Sequence, residues 1–180
     1  MDVDRFDQLV RAHLPEAHRL AIRLCGDSHR AEDVVQEAML RAARSWRGFR
    51  GESSFLTWLY RLTVNAWRDQ MRSRPPPESL EIEPADAGAA DPKAGVSAEE
   101  LAGIVAARVS SLPPRQREVL VLIAYEGHSV ADAARVLQIN EQNVRTNLHL
   151  ARERLRKQLA SYLTGVAPKS VVRDNEHDRS

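Results

Sequence analysis

The chain has 180 residues, and its 26 lysines and arginines nearly balance 25 aspartates and glutamates, which leaves a formal net charge of +1. This length suits one ordinary domain or two small ones. The single cysteine, Cys25, excludes an intramolecular disulfide and favours a reducing compartment. The longest apolar run, residues 119–125, is too short to span a membrane, and the acidic start is unlike a signal peptide. We therefore expect a cytoplasmic protein.

The near-zero net charge hides an uneven distribution of charge along the chain. Residues 1–74 contain 13 arginines and 10 acidic residues, and residues 101–180 contain 12 basic and 8 acidic residues. Between them, residues 75–100 contain one lysine and 7 acidic residues. Two mildly basic blocks joined by an acidic stretch suit a partner that is anionic at both ends.

Apolar residues at helical spacing predict helices throughout the first block. The first helix is expected to be interrupted or kinked at Pro15 and to end at Gly26, with Asp27 or Ser28 capping the second. The polar face of the second helix includes Asp33, Gln36, Glu37, Arg41 and Arg44. A basic loop, RGFRGE, covers residues 47–52, and Ser53 or Ser54 caps a third helix. We expect Trp46 and Trp58 to anchor the core.

Residues 75–96 read PPPESLEIEPADAGAADPKAGV, rich in Pro, Ala, Gly and acidic residues and without periodicity. This composition predicts a flexible linker that could reach ~70 Å when extended and ~25 Å as a relaxed coil. After it, Ser97 and Glu100 match a capping box, and Pro113-Pro114 separates two further helices. The polar tail, residues 164–180, is predicted to be disordered.

Residues 129–159 match a helix-turn-helix. Ser129 caps a short helix with Ala133, Ala134 and Leu137 on its inner face, Gln138-Ile139-Asn140 forms the turn, and Asn140 caps a long second helix. The second helix buries Val144, Leu148, Ala151 and Leu155. Its other face carries the side chains that could reach bases and phosphates in a major groove: Gln142, Asn143, Arg145, Thr146, Asn147, His149 and Arg152. The alternative is a helical hairpin with a solvated basic face.

Four residues of the first block could suggest a metal site. The residues that suggest zinc are His13, His18, Cys25 and His29, but Gly26 and Asp27 break the helix between the last two and the spacing matches no common zinc pattern. No glycine-rich phosphate loop or nucleophile-base arrangement is present, so the sequence offers no catalytic residues and no cofactor.

Two stretches together resemble known proteins. Residues 31–74, AEDVVQEAMLRAARSWRGFRGESSFLTWLYRLTVNAWRDQMRSR, resemble the second conserved domain of bacterial sigma factors, and residues 112–159, LPPRQREVLVLIAYEGHSVADAARVLQINEQNVRTNLHLARERLRKQL, resemble the fourth. With only a linker between them, the chain resembles an extracytoplasmic-function (ECF) sigma factor. The resemblance implies an all-α protein of two small helical domains, residues 1–74 and 97–163, that binds core RNA polymerase and directs it to promoters.

The resemblance also implies roles for particular residues. Those that would dock on the clamp of the largest polymerase subunit are Asp33, Gln36, Glu37 and Arg41. Those that would hold the unpaired strand of the −10 element are Phe49, Arg50, Gly51, Glu52, Ser53, Ser54, Arg61, Asn65 and Arg68. The polar face of the recognition helix, from Gln142 to Arg152, would contact the −35 duplex. The family further implies an anti-sigma factor as a partner.

Some positions depart from the family pattern. Gln138 stands where glycine is usual in the turn, Asn147 and Leu150 replace commonly basic residues, and His128 replaces an apolar one. The closest alternative function is a duplex-DNA-binding regulator that acts without polymerase, and residues 1–74 lack the strand pattern of its usual sensor domain. A further alternative is a protein that imitates a sigma domain in order to sequester an anti-sigma factor.

Overall fold

The computed structural model of the protein describes residues 3–73 and 97–163, and the predicted linker and tail lie outside these ranges. Every regular element within them is helical, as predicted. The seven α-helices are α1 (Val3–Cys25), α2 (Ser28–Ser45), α3 (Phe55–Ser73), α4 (Ala98–Ser110), α5 (Pro114–Leu120), α6 (Val130–Leu137) and α7 (Glu141–Leu163). None of the described helices is long and apolar enough to cross a membrane.

The N-terminal unit, residues 3–73, packs α1, α2 and α3 against one another. One end of this bundle contains an aromatic cluster in which Trp46 contacts Phe6, Phe55 and Trp58 with ring centroids 5.2, 6.1 and 6.4 Å apart. Trp46 and Trp58 are 8% and 6% exposed, so both are core anchors as predicted. Aromatic pairs at these distances stabilise a core by more free energy than the burial of their surface alone would contribute.

The first helix was expected to be interrupted or kinked at Pro15; the interruption was wrong, because α1 runs through this residue without a break. Proline removes one backbone hydrogen bond and crowds the preceding turn. Pro15 lies on the exposed side of α1, where water can satisfy the carbonyl group that loses its partner. The predicted end of the helix at Gly26 is confirmed, with φ +68°. Of the two candidate caps for α2, Asp27 is the one whose side chain accepts a hydrogen bond from the Arg30 amide.

The C-terminal unit, residues 97–163, begins with the predicted capping box. The Glu100 amide donates to the Ser97 hydroxyl at 3.1 Å, and the Ser97 amide donates to the Glu100 carboxylate at 2.8 Å. Pro114 occupies the first turn of α5, where a missing N–H costs no helical hydrogen bond. A π-helical turn, Val121–Tyr125, continues α5, and Gly127, with φ +71°, follows two residues after it.

The helix-turn-helix has the predicted boundaries. The Ser129 hydroxyl accepts from the Asp132 amide to cap α6, and the Asn140 side chain accepts from the Asn143 amide at 2.7 Å to cap α7. Between them, Gln138 adopts the left-handed conformation, with φ 55° and ψ 46°. The predicted inner faces meet, because Ala133, Ala134 and Leu137 of α6 are buried with Val144, Leu148 and Ala151 of α7.

The two units share one hydrophobic core. Helix α3 packs against α6, and α1 packs against α4 and the π-helical turn. Trp67 and Val64 of α3 are fully buried in the same cluster as Leu122 and Leu137 of the C-terminal unit. The approach is close at Gly26, where a Cβ atom would meet the Ser110 hydroxyl oxygen at 2.2 Å. Helix α3 is therefore buried on two sides, by its own bundle and by the second unit.

Candidate functional site

Helix α7, the second helix of the helix-turn-helix, presents its polar face to solvent. Six of the seven residues expected at the −35 element are exposed: Gln142, Asn143, Arg145, Thr146, His149 and Arg152. The seventh, Asn147, is half-buried and donates its side-chain amide to the Asn143 carbonyl at 2.8 Å. Arg145 is held by Glu141 one turn earlier, with its Nη2 atom 2.7 Å from the carboxylate. An exposed pair of this kind is weak, so Arg145 is free to exchange Glu141 for a phosphate or a base.

The loop before α3 encloses a small polar cavity. Phe49 lies on Trp58 and Trp46, with ring centroids 4.9 and 5.6 Å apart, and Gly51 supplies a turn with φ +73°. The Ser54 hydroxyl accepts from the Thr57 amide at 3.1 Å, so Ser54 caps α3. The cavity has a volume of about 220 Å³ and is lined by Gly48, Phe49, Arg50, Glu52, Ser53, Trp58 and Arg61. A cavity lined by both arginines and aromatic rings suits an unpaired nucleotide.

Asn65 and Arg68 lie further along α3, and Arg68 faces the second unit. Arg68 forms a two-point ion pair with Glu118 of α5, in which its Nε and Nη2 atoms lie 2.6 and 2.7 Å from the carboxylate oxygens. The Glu118 side chain is only 1% exposed. Arg68 also donates to the Asn65 side-chain oxygen at 3.2 Å. Neither residue lines the loop cavity, although the family resemblance groups both with the loop residues and Arg61.

The residues expected to bind polymerase lie along a groove between α2 and α3. Asp33, Glu37 and Arg41 line this groove of about 310 Å³, whereas Gln36 is exposed beside it. Arg41 donates to Glu37 and to Asp69 of α3, both at 2.7 Å, and Asp69 also accepts from Arg72. The hydrogen bonds from Arg72 and Arg41 lower the pKa of the Asp69 carboxyl group, so it stays ionised at neutral pH.

The polar contacts that join the units at Glu126 and Arg117 were not predicted from the sequence. Glu126, whose side chain is 4% exposed, accepts from Arg23 of α1 and from the Tyr60 hydroxyl of α3 at 2.8 Å. Arg117 donates to the Leu24 carbonyl at 2.8 Å, with its guanidinium 5.5 Å from the centre of the Trp67 ring. Charged residues are rarely buried without partners, but the sequence does not show which partner each has.

His128, which departs from the family pattern, also lies at this junction. Its ring meets the Tyr60 ring edge to face, with the centroids 5.2 Å apart. Burial lowers the pKa of the His128 imidazole, while Asp132 and Glu126 act in the opposite direction. The imidazole is therefore neutral at pH 7 and packs as an aromatic side chain.

The comparisons with known proteins agree with this architecture. Residues 9–75 match the family model of Sigma-70 region 2, and residues 102–155 match that of Sigma-70 region 4. The chain is 32% identical to the ECF RNA polymerase sigma factor SigW of Bacillus subtilis, over 88% of this chain and 90% of the relative. These matches define the class of protein as a sigma factor of the sigma-70 type.

Two solved structures resemble the chain. The sigma factor RpoE in complex with the anti-sigma factor NepR, from Bartonella quintana, is 28% identical with a TM-score of 0.68, covering 88% of this chain and 98% of that one. CnrH in complex with the cytosolic domain of CnrY is 27% identical with a TM-score of 0.66, covering 89% and 90%.

The chain belongs to the family of ECF RNA polymerase sigma factors. It binds core RNA polymerase and directs promoter recognition, melting and transcription initiation. The alternative of a duplex-DNA-binding regulator that acts without polymerase is not favoured.

Proposed function

We propose that this sigma factor acts through three surfaces. The groove between α2 and α3, with Asp33, Glu37 and Arg41, docks on the polymerase clamp. The loop cavity with Arg50 and Arg61 takes the unpaired −10 strand. The exposed face of α7 reads the −35 duplex. The domain limits that we propose are residues 1–74 and 97–163, with the linker at 75–96 and the tail at 164–180.

The observation that carries this proposal is the loop cavity. It combines two aromatic rings, two arginines and the Ser53 hydroxyl group in one concave site at the surface. Stacking on an aromatic side chain contributes ~1–3 kcal/mol per base, which is comparable to the cost of unstacking one base from the duplex. Binding of a displaced base can therefore offset melting without ATP. Asn65 and Arg68 extend this −10 surface along α3.

Helix α7 supplies the sequence readout of the −35 duplex, through hydrogen bonds to the edges of the bases. Its first turns carry two amides, Gln142 and Asn143, which can form paired hydrogen bonds with adenine, and one guanidinium, Arg145, which can do so with guanine. Each such pair contributes ~1–3 kcal/mol of discrimination against the wrong base. His149 and Arg152 lie further along the helix and suit phosphates.

We also propose that the protein works in the cytoplasm, where its polymerase is, and that it has no catalytic activity of its own. An anti-sigma factor is a further proposed partner. Both structural relatives described above are in complexes, one with the anti-sigma factor NepR and one with the cytosolic domain of CnrY. Each shares both helical units with this chain.

The polymerase groove is tested by a charge exchange, Glu37→Arg with Arg41→Glu. The exchanged residues can still pair with each other, but the new glutamate faces Asp69, so the charge pattern of the groove is inverted. We expect capture of core RNA polymerase by the tagged chain to be lost. The matched control is Glu153→Arg with Lys157→Glu, which exchanges an exposed pair within α7. Equal capture by both variants would exclude this groove as the polymerase site.

A further inference from the structure

Helix α7 carries a leucine on its polar side that the hydrophobic core does not use. Leu150 is 38% exposed, and it lies outside the buried seam that Val144, Leu148 and Ala151 form. Within the described part of the chain, five large apolar side chains are exposed, and Leu150 alone among these five lies on α7. A single exposed leucine is ordinary on a protein surface. What distinguishes Leu150 is its position on the face of α7 that we propose for the −35 duplex.

The neighbours of Leu150 extend its apolar surface. Thr146 lies one helical turn earlier on the same face, is exposed and offers a methyl group. Asn147, three residues before Leu150, donates its side-chain amide to the Asn143 carbonyl at 2.8 Å, so this amide is engaged by its own helix. Thr146 and Leu150 therefore form a small apolar patch on an otherwise polar face, and we call these two residues the apolar patch.

The major groove of DNA offers one group that matches an apolar patch. Guanine, adenine and cytosine present hydrogen-bond donors and acceptors at this edge, whereas thymine also presents its C5-methyl group. Contact with Leu150 removes that methyl group from water, which is favourable. A polar base edge pressed against Leu150 would lose its water partner without a replacement, which is unfavourable. The apolar patch therefore favours thymine and disfavours the other bases at the position that it faces.

The spacing along α7 places Leu150 within reach of the same short element as the residues at the start of the helix. Leu150 follows Gln142 by eight residues, which is ~12 Å along a helix axis. This length equals about three to four base-pair steps of ~3.4 Å and matches the ~12 Å width of the major groove. The thymine that Leu150 contacts should therefore lie within about four base pairs of the base that Gln142 reads.

We propose that Leu150, together with Thr146, is a specificity-determining residue that selects thymine at one position of the −35 element by contact with its C5-methyl group. The inference rests on the −35 role proposed above for the exposed face of α7. A basic residue, which the family resemblance leads us to expect at position 150, would instead contact phosphate or guanine. The leucine thus replaces a charged contact with an apolar one that depends on the base.

The test uses holoenzyme assembled from core RNA polymerase and the full-length chain. Wild-type and Leu150→Ala holoenzymes select promoter duplexes from a pool randomised in the −10 and −35 regions, and we expect the variant to lose a preference for thymine at one −35 position. Deoxyuridine then replaces that thymine, which keeps the base pairing and removes only the methyl group. The wild type should bind the uracil duplex about fourfold more weakly than the thymine duplex, and Leu150→Ala should bind both equally.

A second measurement and a matched control separate the methyl contact from other effects. With cytosine at the same position, 5-methylcytosine should raise the affinity of the wild type by a similar factor and leave that of Leu150→Ala unchanged. The control is Leu14→Ala, which removes a leucine of the same 38% exposure from α1 and should keep both methyl effects. Alanine favours helix, and both leucines are exposed, so both variants should keep the helical circular dichroism of the wild type.

Selection of the same −35 sequences by Leu150→Ala and the wild type, or equal affinity of the wild type for the thymine and uracil duplexes, would overturn the inference. Weaker capture of core polymerase by Leu150→Ala with unchanged DNA selection would also overturn it, because Leu150 would then contact protein. Failure of the −35 role itself is distinguished by the triple variant Gln142→Ala, Asn143→Ala, Arg145→Ala. If this variant selects the same −35 sequences as the wild type, α7 does not read the element, whereas a changed selection in this variant alone refutes only the role of Leu150.

Discussion

Gln138 is expected to destabilise the turn of the helix-turn-helix, and replacing it with glycine should stabilise the protein. Gln138 has φ 55°, where its Cβ atom crowds the following carbonyl group, a strain of ~1–2 kcal/mol that glycine does not experience. Glycine also gives the unfolded chain more freedom, which costs roughly 0.5–1 kcal/mol. The net expectation is a gain of ~0.5–1 kcal/mol in the free energy of unfolding, since the Gln138 side chain is exposed.

The assay is urea denaturation of Gln138→Gly followed by circular dichroism, together with thermal unfolding, where the gain corresponds to ~1–4 °C in a protein of this size. The matched control is Gln138→Ala, which shortens the side chain but keeps the Cβ atom. It should stay within ~0.5 kcal/mol of the wild type. A loss of stability in the glycine variant, or an equal gain in the alanine variant, would refute the argument that strain is stored at this backbone position.

Three further outcomes follow from the structure. Burial raises the pKa of the Cys25 thiol to about 11. Burial and the hydrogen bond to Glu126 raise the pKa of the Tyr60 phenol. Both groups therefore favour the folded state while they are protonated. The contribution of the Cys25 thiol to stability is complete below its unfolded pKa of ~8.5 and is lost as the pH rises through about 11. Between these pH values, the melting temperature should fall less in Cys25→Ala and in Tyr60→Phe than in the wild type. Asn140→Ala removes the cap of α7 and should lower the free energy of unfolding by ~1 kcal/mol in urea denaturation, whereas no change would show that the cap is not needed. Trp46→Ala should cost ~3–5 kcal/mol by the same assay because the residue is buried among four aromatic rings, and a loss below 1 kcal/mol would mean that the cluster collapses around the gap.

Local signals in the sequence were the most informative. The capping box at Ser97, the cap at Ser129 and the break at Pro113-Pro114 were all predicted, and the cap of α2 was narrowed to Asp27 or Ser28, because each depends on residues within a few positions of one another. Pro15 is the exception. The cost of a proline in a helix depends on whether the freed carbonyl group is exposed, and the packing of the bundle decides that.

By itself, the sequence determined the helices, their caps, the helix-turn-helix and the family, since helical periodicity and motif spacing are properties of neighbouring residues. Only the tertiary structure decided that Trp67 is fully buried and that Arg68 is paired with Glu118. The partners in that pair are 50 positions apart, and a charged residue on a helix face has the same pattern whether it meets solvent, DNA or another unit. Which of these it meets depends on how the two units pack, and the sequence of one unit alone does not determine that packing.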